Sequence, residues 1–586
     1  MSLLSELKRR NVLRVGALYA AGAWALAQGF AQLFPVFGVP DWVVRWSVIA
    51  AIIGFPFFLA FAWYYEFTPE GLKRESEIDP AQSITQHTGK KLDRWIIAAL
   101  GLAVVLLLAD KFVLHKDANE VAGASAADKS IAVLPLVNES GDPANEYFSD
   151  GLSEELIAAL AQIADLKVIG RSSSFRFKGH SDDLKTIGEK LGVNTLLEGT
   201  VRKQAERVRI VAELVNAADG RELWSQTYDR ELKDVFAVQS EIAQAVADSL
   251  KVTLLGADAK ARQDSSTKSV DAHNAYLQGH FYLEHRDIDG WRKALGFFDE
   301  AIRLDPDYAL AYAERAETWS WLADQTSENV PAARIAARND AEKAVALNPN
   351  LAEAHTALGW VRYFIDWDLS TAVSEIQHAV QLAPSSAKPK VLLAQVLHTE
   401  GQVQAAIALA RRAVGLDPLY FYARAVLARS LLSDGRFDEA RAEASKGAEL
   451  QPGAAFSHRW QVIAAILQGD AEAALHEAQL EPAETYRRFE LALAHYARGD
   501  RAASDAALAD LISKDSGTSA YQIAEVYAFR GETDAAFEWL QRSYDTRDTG
   551  ILSMLMDPLL RGLNSDPRYT ILLGKLGLSP PSAAKP

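Results

Sequence analysis

Histidine is the residue type with the clearest potential for chemistry in this chain of 586 residues. Twelve histidines are scattered along it, and His273, His280 and His285 are close enough in sequence to suggest a metal site. In a helix these spacings direct the three side chains to different sides, and no cysteine is present to complete a ligand set. We therefore predict no metal site. The absence of cysteine also excludes disulfides and thiolate catalysis.

The paired carboxylates do not predict an active site either. Asp366 and Asp368 flank Trp367, which fits a turn between helices, and Glu154 and Glu155 open a helix whose dipole they favour. The sequence also lacks the phosphate-binding loop, the His-Glu-x-x-His pair and the Gly-x-Ser-x-Gly turn. We predict no catalytic residue, no cofactor and no enzyme activity. An active site hidden in the middle of the chain is the alternative.

A short phrase that ends in proline recurs five times in the carboxy-terminal half. Its prolines are Pro306, Pro349, Pro384, Pro418 and Pro452, at intervals of 43, 35, 34 and 34 residues. A small residue stands 12 positions before each proline: Ala294, Ala337, Ala372, Ala406 and Ala440. A period of 34 residues is that of the tetratricopeptide repeat (TPR), a pair of crossing helices. We predict an all-α TPR solenoid of about seven or eight repeats over residues 271–545, with a cap and tail over residues 546–586.

The first helix of each repeat should line the concave face of the solenoid. The residues that this register places there are Trp321, Trp360, Tyr363, Gln395, His398, Tyr422 and Arg429. Aromatic residues and arginine often supply most of the binding energy at interfaces. We predict that these side chains form a groove for a protein or peptide partner. Packing between neighbouring repeats is the alternative role for each of them.

Before the repeats, the hydrophobic period changes to alternating strands and helices. An apolar run over residues 131–137 suits a buried strand, residues 147–163 have helical spacing, and Asp219-Gly220 marks a turn between strand-like segments. We predict a small α/β domain over residues 130–256, preceded by a linker over residues 117–129.

Three apolar stretches near the amino terminus have about the 20 residues that a helix needs to cross a bilayer. They cover residues 12–34, 42–65 and 95–114 and predict a membrane module over residues 1–116. The third stretch is the weakest, because its apolar run ends at Ala109. The predicted fold class is therefore multi-domain: transmembrane helices, then a small α/β domain, then an all-α TPR solenoid.

Basic residues in the short loops place the amino terminus inside the cell. Lys8, Arg9 and Arg10 precede the first stretch, whereas residues 35–41 contain no basic residue. Three crossings would place the carboxy-terminal body in the periplasm, and we predict this location for a protein of the bacterial inner membrane. If the third stretch does not cross, the body lies in the cytoplasm.

The first stretch carries small residues at every fourth position, namely Ala17, Ala21, Ala25 and Gly29. Such spacing lets two helices approach closely in lipid. We expect this row to pack against the second stretch, with a seam between copies in a homo-oligomer as the alternative.

The formal net charge of −16 is unevenly distributed. Residues 1–116 contain 12 Lys/Arg and 9 Asp/Glu, whereas the remainder contains 49 and 68. Because an acidic body repels a phosphate backbone, we predict no nucleic-acid partner.

Several segments resemble bacterial signalling proteins in which a TolB amino-terminal-like domain precedes a TPR array. They are residues 6–12, 33–35, 66–71, 130–143, 147–156, 171–179, 197–202, 364–368 and 557–568. In the proteins that this resemblance implies, a class III cyclase or a winged-helix DNA-binding domain is commonly present as well. No segment here has room for either, so neither role is carried over.

Two functional hypotheses follow. The first is a membrane-anchored scaffold or sensor that binds a partner protein or peptide through the TPR groove and the α/β domain. The alternative is a regulatory subunit that acts in trans with a cyclase, kinase or transcription factor. The expected partners are a protein or peptide and the lipid bilayer.

Overall fold

A computed structural model gives the structure of the protein. It describes residues 129–579 except 164, 181, 251–266, 286 and 326–329; before residue 129 it describes only positions 19, 54, 55, 65–68 and 71–74. The chain divides into two compact units, Met1–Ser125 and Ala126–Pro586.

In the first unit, β1 (Tyr65–Thr68) and β2 (Gly71–Arg74) form an antiparallel hairpin. The three predicted spans cover residues 12–34, 42–65 and 95–114, and all of these except positions 19, 54, 55 and 65 lie outside the described residues. The row of small residues, Ala17, Ala21, Ala25 and Gly29, also lies outside them. Within the described part of the chain, no helix combines the length and the apolarity needed to cross a bilayer.

The second unit begins with an α/β region built on a six-stranded sheet. Its strands are β3 (Ser130–Val133), β4 (Val137–Asn138), β5 (Lys167–Val168), β6 (Thr195–Gln204), β7 (Arg207–Asn216) and β8 (Glu222–Glu231). The order is β5-β3-β6-β7-β8, with β4 also paired to β6. β3 runs parallel to β5 and β6, whereas β6, β7 and β8 are antiparallel. Apolar and polar residues alternate along β7, so that Val208 and Ile210 enter the core while Arg207 and Arg209 are exposed.

Within the described residues, four helices accompany this sheet: α1 (Glu146–Leu160), α2 (Arg171–Ser174), α3 (Leu184–Leu191) and α4 (Val235–Ser249). Glu154 and Glu155 lie inside α1, so the prediction that they open a helix is wrong. α1 and α4 share one hydrophobic core with the sheet, and α3 belongs to a second, smaller core. The bounds of α3 follow from its sequence. The side chain of Asp183 accepts a hydrogen bond from the backbone of Thr186 at the start, and Gly192 ends the helix at φ 64°.

Eight helical hairpins follow in the described residues. Their helices are α5 (Val270–Leu283), α6 (Ile288–Leu304), α7 (Ala309–Gln325), α8 (Val330–Leu347), α9 (Ala352–Val361), α10 (Leu369–Leu382), α11 (Ala387–Thr399), α12 (Val403–Leu416), α13 (Phe421–Ser433), α14 (Phe437–Leu450), α15 (Arg459–Leu467), α16 (Ala471–Leu480), α17 (Glu484–Ala497), α18 (Arg501–Asp515), α19 (Ala520–Phe529) and α20 (Thr533–Thr546). Each repeat proline lies two residues beyond a second helix, where it cannot continue the helix. The alanine 12 positions earlier is fully buried in all five repeats.

After α20 the chain turns back along the solenoid. Two 3₁₀ segments, Thr549–Met556 and Pro558–Leu563, precede the last helix, α21 (Pro567–Lys575). Ile551, Leu552 and Met554 are buried in the same core as the later repeats. This return brings the end of the array against earlier repeats.

The α/β region and the first repeats share one hydrophobic core. It joins Leu152 and Leu156 of α1 to Tyr276, Leu277 and Phe298 of the first hairpin. The approach of α5 to α1 depends on a glycine, because a Cβ at Gly151 would lie 2.5 Å from the side chain of Leu277. The α/β region is therefore packed onto the solenoid.

Candidate ligand cavity on the concave face

The concave face of the solenoid surrounds a cavity of about 1660 Å³. Its wall contains residues from all eight first helices, from the α/β region and from the segment after α20. Pockets for drug-sized ligands measure about 300–1,000 Å³. This cavity therefore has room for a longer ligand, such as a peptide segment.

The α/β region closes the edge of the cavity at the loops between repeats. Ser173 donates backbone and side-chain hydrogen bonds to Asp417, the backbone bond measuring 2.8 Å. Burial raises the pKa of Asp417 to about 6, although the bonds from Ser173 act against this rise. Further bonds join Gly170 N to Leu416 O (2.9 Å), Ser385 Oγ to Leu166 O (2.5 Å) and Arg176 Nη1 to Leu450 O (2.9 Å).

The segment after α20 closes the opposite edge, at the turns within repeats. The guanidinium of Arg547 donates to Ile365 O at 2.9 Å and to Asp366 O at 3.2 Å, and it lies 4.3 Å from the ring centre of Trp367. Ser433 Oγ donates to Met556 O at 2.8 Å. The groove that the sequence predicts on the concave face is thus enclosed along both edges.

One part of the cavity wall is aromatic. The ring centroids of Trp291 and Trp321 are 6.0 Å apart, those of Trp321 and Trp360 are 5.1 Å apart, and those of Trp360 and Phe364 are 4.1 Å apart. Such a continuous surface can take up apolar side chains of a ligand with little loss of side-chain entropy, since its rings are held by one another.

A charged cluster lies at the junction of α1, α5 and α7. His280 contacts the carboxylates of Glu154 and of Glu314, the latter at 2.7 Å. Arg171 binds Glu154 at 2.6 Å and Glu284 at 2.8 Å. Burial disfavours the imidazolium, but the two carboxylates outweigh it and raise the pKa of His280 well above its usual value. His280 is therefore a cationic link between the α/β region and the first repeats.

The structure places six of the seven predicted groove residues on this cavity: Trp321, Trp360, Tyr363, Gln395, Tyr422 and Arg429. The hydroxyl of Tyr422 donates to Gln395, and Tyr363 is almost fully buried with its hydroxyl 2.8 Å from Thr399. His398 is not part of the lining, because its ring is buried behind the wall with Nε2 2.8 Å from Ser433 Oγ. That any of them binds a partner stays a prediction.

Several polar atoms of the wall have no hydrogen-bond partner within the described residues. They are Nε and Nη2 of Arg429, Oε2 of Glu353, Nε1 of Trp460 and Oε1 of Gln522. These atoms are packed inside the wall and have almost no surface accessible to water, so they do not themselves face the cavity.

Sequence reasoning missed the lining residues outside the first helices. Arg171 and Ser172 come from the α/β region, and Arg547, Asp548 and Ser553 come from the returning segment. Arg171 begins residues 171–179, one of the segments on which the sequence resemblance rests, and that resemblance is the signal that could have pointed to it. These residues are positioned on the cavity by contacts between parts of the chain more than a hundred residues apart, such as the bond between Arg171 and Glu284.

The comparison with protein families supports the repeat prediction. Residues 397–466 match the tetratricopeptide repeat family, and this segment covers α12 to α14 with parts of α11 and α15. The prediction of a TPR solenoid behind a small α/β region is confirmed. Proteins with such repeats mediate protein–protein interactions.

A curated relative is a Rhizobium meliloti (strain 1021) protein provisionally named adenylate cyclase 3. It is 35% identical over 187 residues, which are 32% of this chain and 32% of the relative. The match therefore spans about a third of the relative's length.

Among solved structures, similarity extends to PilW, a type IV pilus biogenesis factor, with 17% identity and a TM-score of 0.28 over 42% of this chain and 93% of that one. YrrB, described as a TPR protein with an unusual peptide-binding site, gives 20% identity and a TM-score of 0.25 over 36% and 96%. The lipoprotein GNA1162 from Neisseria meningitidis gives 25% identity and a TM-score of 0.16 over 18% and 80%.

Proposed function

We propose that this protein is a non-enzymatic scaffold that holds a peptide segment of a partner protein in the cavity on its concave face. The observation that carries the proposal is the cavity of about 1660 Å³, to which all eight first helices contribute. Its wall combines a tryptophan surface with polar side chains such as Gln395 and Lys388, a composition that fits a peptide with apolar side chains and a polar backbone.

The enclosure implies that the partner enters as an extended segment and not as a folded domain. The loops between repeats are held by the α/β region, and the turns within repeats are held by the returning segment. A folded partner would have to displace one of these contacts. A partner protein with an unfolded tail or loop is therefore the expected ligand.

A photo-crosslinking amino acid tests this function directly. It would replace Trp360 on the cavity wall in one variant and Leu480, whose side chain is 50% exposed, in a control variant. We expect one segment of one partner protein to be cross-linked at position 360 and to be absent from the products at position 480. Equal cross-linking at both positions, or none at position 360, contradicts the proposal.

The proposal includes anchoring in the bacterial inner membrane. Its support is the length of the apolar stretches 12–34, 42–65 and 95–114 and the basic residues around them. The α/β region, which resembles a TolB amino-terminal-like domain, and the TPR array would then lie in the periplasm. Periplasm-active and cytoplasm-active reporters, fused separately after Pro586, decide this: activity of the cytoplasmic reporter alone would show that the third stretch does not cross.

A second candidate function is a regulatory subunit that acts in trans with a cyclase. It is favoured by the 35% identity, over about a third of each chain, to the protein provisionally named adenylate cyclase 3. Co-purification of a cyclase with the full chain, and loss of that association when cavity residues are changed, would support this candidate over a general scaffold.

A further inference from the structure

The sheet of the α/β region has two edges, and their surroundings differ. β5 forms one edge, and the solenoid bonds to the backbone beside it: Ser385 Oγ donates to Leu166 O at 2.5 Å, and Gly170 N donates to Leu416 O at 2.9 Å. β8 forms the other edge. Within the described residues, no strand pairs with the outer side of β8, where every second residue directs its N–H and C=O away from β7.

The edge of β8 lacks the features that usually prevent pairing with another chain. Edge strands are commonly short, or they carry lysine, proline or a bulge that interrupts the edge. β8 is 10 residues long and contains neither lysine nor proline, and its one shift of register lies near its first residues. Residues 223–228 carry no charge. The middle of this edge is therefore a suitable template for a further strand.

The two faces of β8 restrict which strand can be added. Trp224 and Tyr228 face the core that the sheet shares with α1 and α4, whereas Ser225 and Thr227 lie on the opposite face and are exposed. An added strand should continue this division between the faces. A second copy of β8 does so by symmetry, because a two-fold axis perpendicular to the sheet makes the two strands antiparallel and keeps both cores on the same side.

A register centred on Thr227 gives complementary pairs between the copies. It places Trp224 opposite Arg230 of the second copy and Ser225 opposite Asp229 of the second copy, and no two like charges stand opposite each other over residues 223–231. Arg230 is exposed and lies 3.7 Å from Glu241 of α4, so it is on the same side of the sheet as Trp224. A guanidinium beside an indole ring is a favourable contact.

We propose that two copies of this protein pair through the outer edges of their β8 strands, antiparallel about Thr227, and so form one sheet that continues through both copies. This homodimer goes beyond the proposed function and does not depend on the cavity. The occupant of the edge is a second copy of the chain, because a two-fold axis matches the faces of β8 and brings unlike side chains together.

Single cysteines test this pairing without interference, because the chain contains no cysteine. In Thr227→Cys, the two thiols of the dimer would lie directly opposite each other, with Cβ atoms about 4.5–5.5 Å apart, close enough for a disulfide after a small adjustment. Ser225→Cys is the matched control on the same exposed face. Its two thiols would be about 14 Å apart along the strands, too far for a disulfide.

The experiment oxidises disrupted cells that produce the full chain with copper phenanthroline and separates the products on a non-reducing gel. We expect most of Thr227→Cys to form a disulfide-linked pair of copies and almost none of Ser225→Cys to do so. Ser225→Cys and Asp229→Cys, produced together with different tags, should form a mixed disulfide, because these positions stand opposite each other. The reduced variants should unfold at the same temperature as the wild type.

Four outcomes would overturn the proposed pairing. They are no disulfide at position 227, equal yields at positions 225 and 227, no mixed disulfide between positions 225 and 229, and a disulfide that joins position 227 to a different protein. The last outcome would assign the edge of β8 to a strand of another partner. None of them bears on peptide binding in the cavity, which the cross-linking at position 360 tests separately.

Discussion

At the scale of single residues, Glu490 shows how this fold buries an acid without pairing it. Its side chain is fully buried, and neither carboxyl oxygen has a hydrogen-bond partner among the described residues. Burial, and then the nearby carboxylate of Glu481, raises the pKa of Glu490 well above its usual value. The carboxyl group is therefore neutral in the folded state over a wider pH range than in the unfolded chain.

Substitution Glu490→Gln should make the stability of the protein less dependent on pH. The favourable contribution of a group whose pKa is raised by folding is fully present below its unfolded pKa of about 4.3 and is lost as pH rises through the folded value. At pH 8 we expect the variant to be more stable than the wild type by roughly 1–3 kcal/mol. Urea unfolding at pH 5 and pH 8 measures this. Glu472→Gln, at an exposed position on α16, should leave the pH dependence as it is.

His280 is a base, whereas Glu490 is an acid, but the contributions of both residues to the stability of the fold are lost as pH rises, because folding raises the pKa of each. Its raised pKa means that its stabilising contribution is complete below about 6.5, the usual value, and is lost as pH rises through the folded pKa. His280→Gln should cost about 3–5 kcal/mol at pH 6, because Glu154 and Glu314 lose their shared counter-charge. The difference from the wild type should shrink at high pH. His285→Gln, whose ring is exposed, is the control, and an equal loss in both variants would contradict the role of the cluster.

At the scale of helices, the close crossing within a repeat depends on residues without a large side chain. A Cβ at Gly359 on α9 would lie 2.4 Å from Cγ1 of Ile376 on α10. Gly296 on α6, in contrast, has open space around it. Both glycines lie inside helices, so that only their packing differs.

Gly359→Ala should therefore destabilise the protein by about 1–3 kcal/mol, the range for overpacking of a core. Gly296→Ala should stabilise it by about 0.5–1 kcal/mol, because alanine restricts the unfolded chain and has the higher helix propensity. Thermal or urea unfolding of the two variants against the wild type measures both effects. A gain of stability in Gly359→Ala would show that the two helices can separate without cost.

The repeat helices could be predicted because their signals are local. The prolines two residues beyond the second helices and the buried alanines 12 positions earlier recur within each unit of about 34 residues. The candidate site could be predicted only in part. Trp360 and Arg429 follow from the repeat register, but the contact of Ser173 with Asp417 joins residues 244 positions apart, for which a single sequence has no pattern.

At the scale of the whole molecule, the return of the chain after α20 determines whether the concave face is open. The pitch of a solenoid results from small rotations between repeats, and these depend on packing that no repeat motif encodes. The enclosure therefore could not be predicted from the 34-residue period. The guanidinium of Arg547 holds this closure, because it donates to the backbone carbonyls of Ile365 and Asp366 and lies over the ring of Trp367.

Arg547→Ala should loosen the closure without unfolding the repeats. It removes two hydrogen bonds to backbone carbonyls and a cation–π contact, together worth about 2–3 kcal/mol. We expect faster amide hydrogen exchange in residues 549–556 and unchanged exchange in α5 and α6. Arg542→Ala, which removes a cation–π contact with Trp539 on α20, is the control. Exchange that is equally fast in both variants would mean that Arg547 does not hold this edge.

The core shared by the α/β region and the first hairpin has a consequence for how such a protein can evolve. Leu277 of α5 packs where α1 has Gly151, so a recombination event that separates the two segments exposes apolar surface on both sides of the cut. A viable exchange between genes would have to carry the α/β region together with its first repeat. The unit of inheritance here is therefore larger than the α/β region alone, and its boundary lies inside the repeat array.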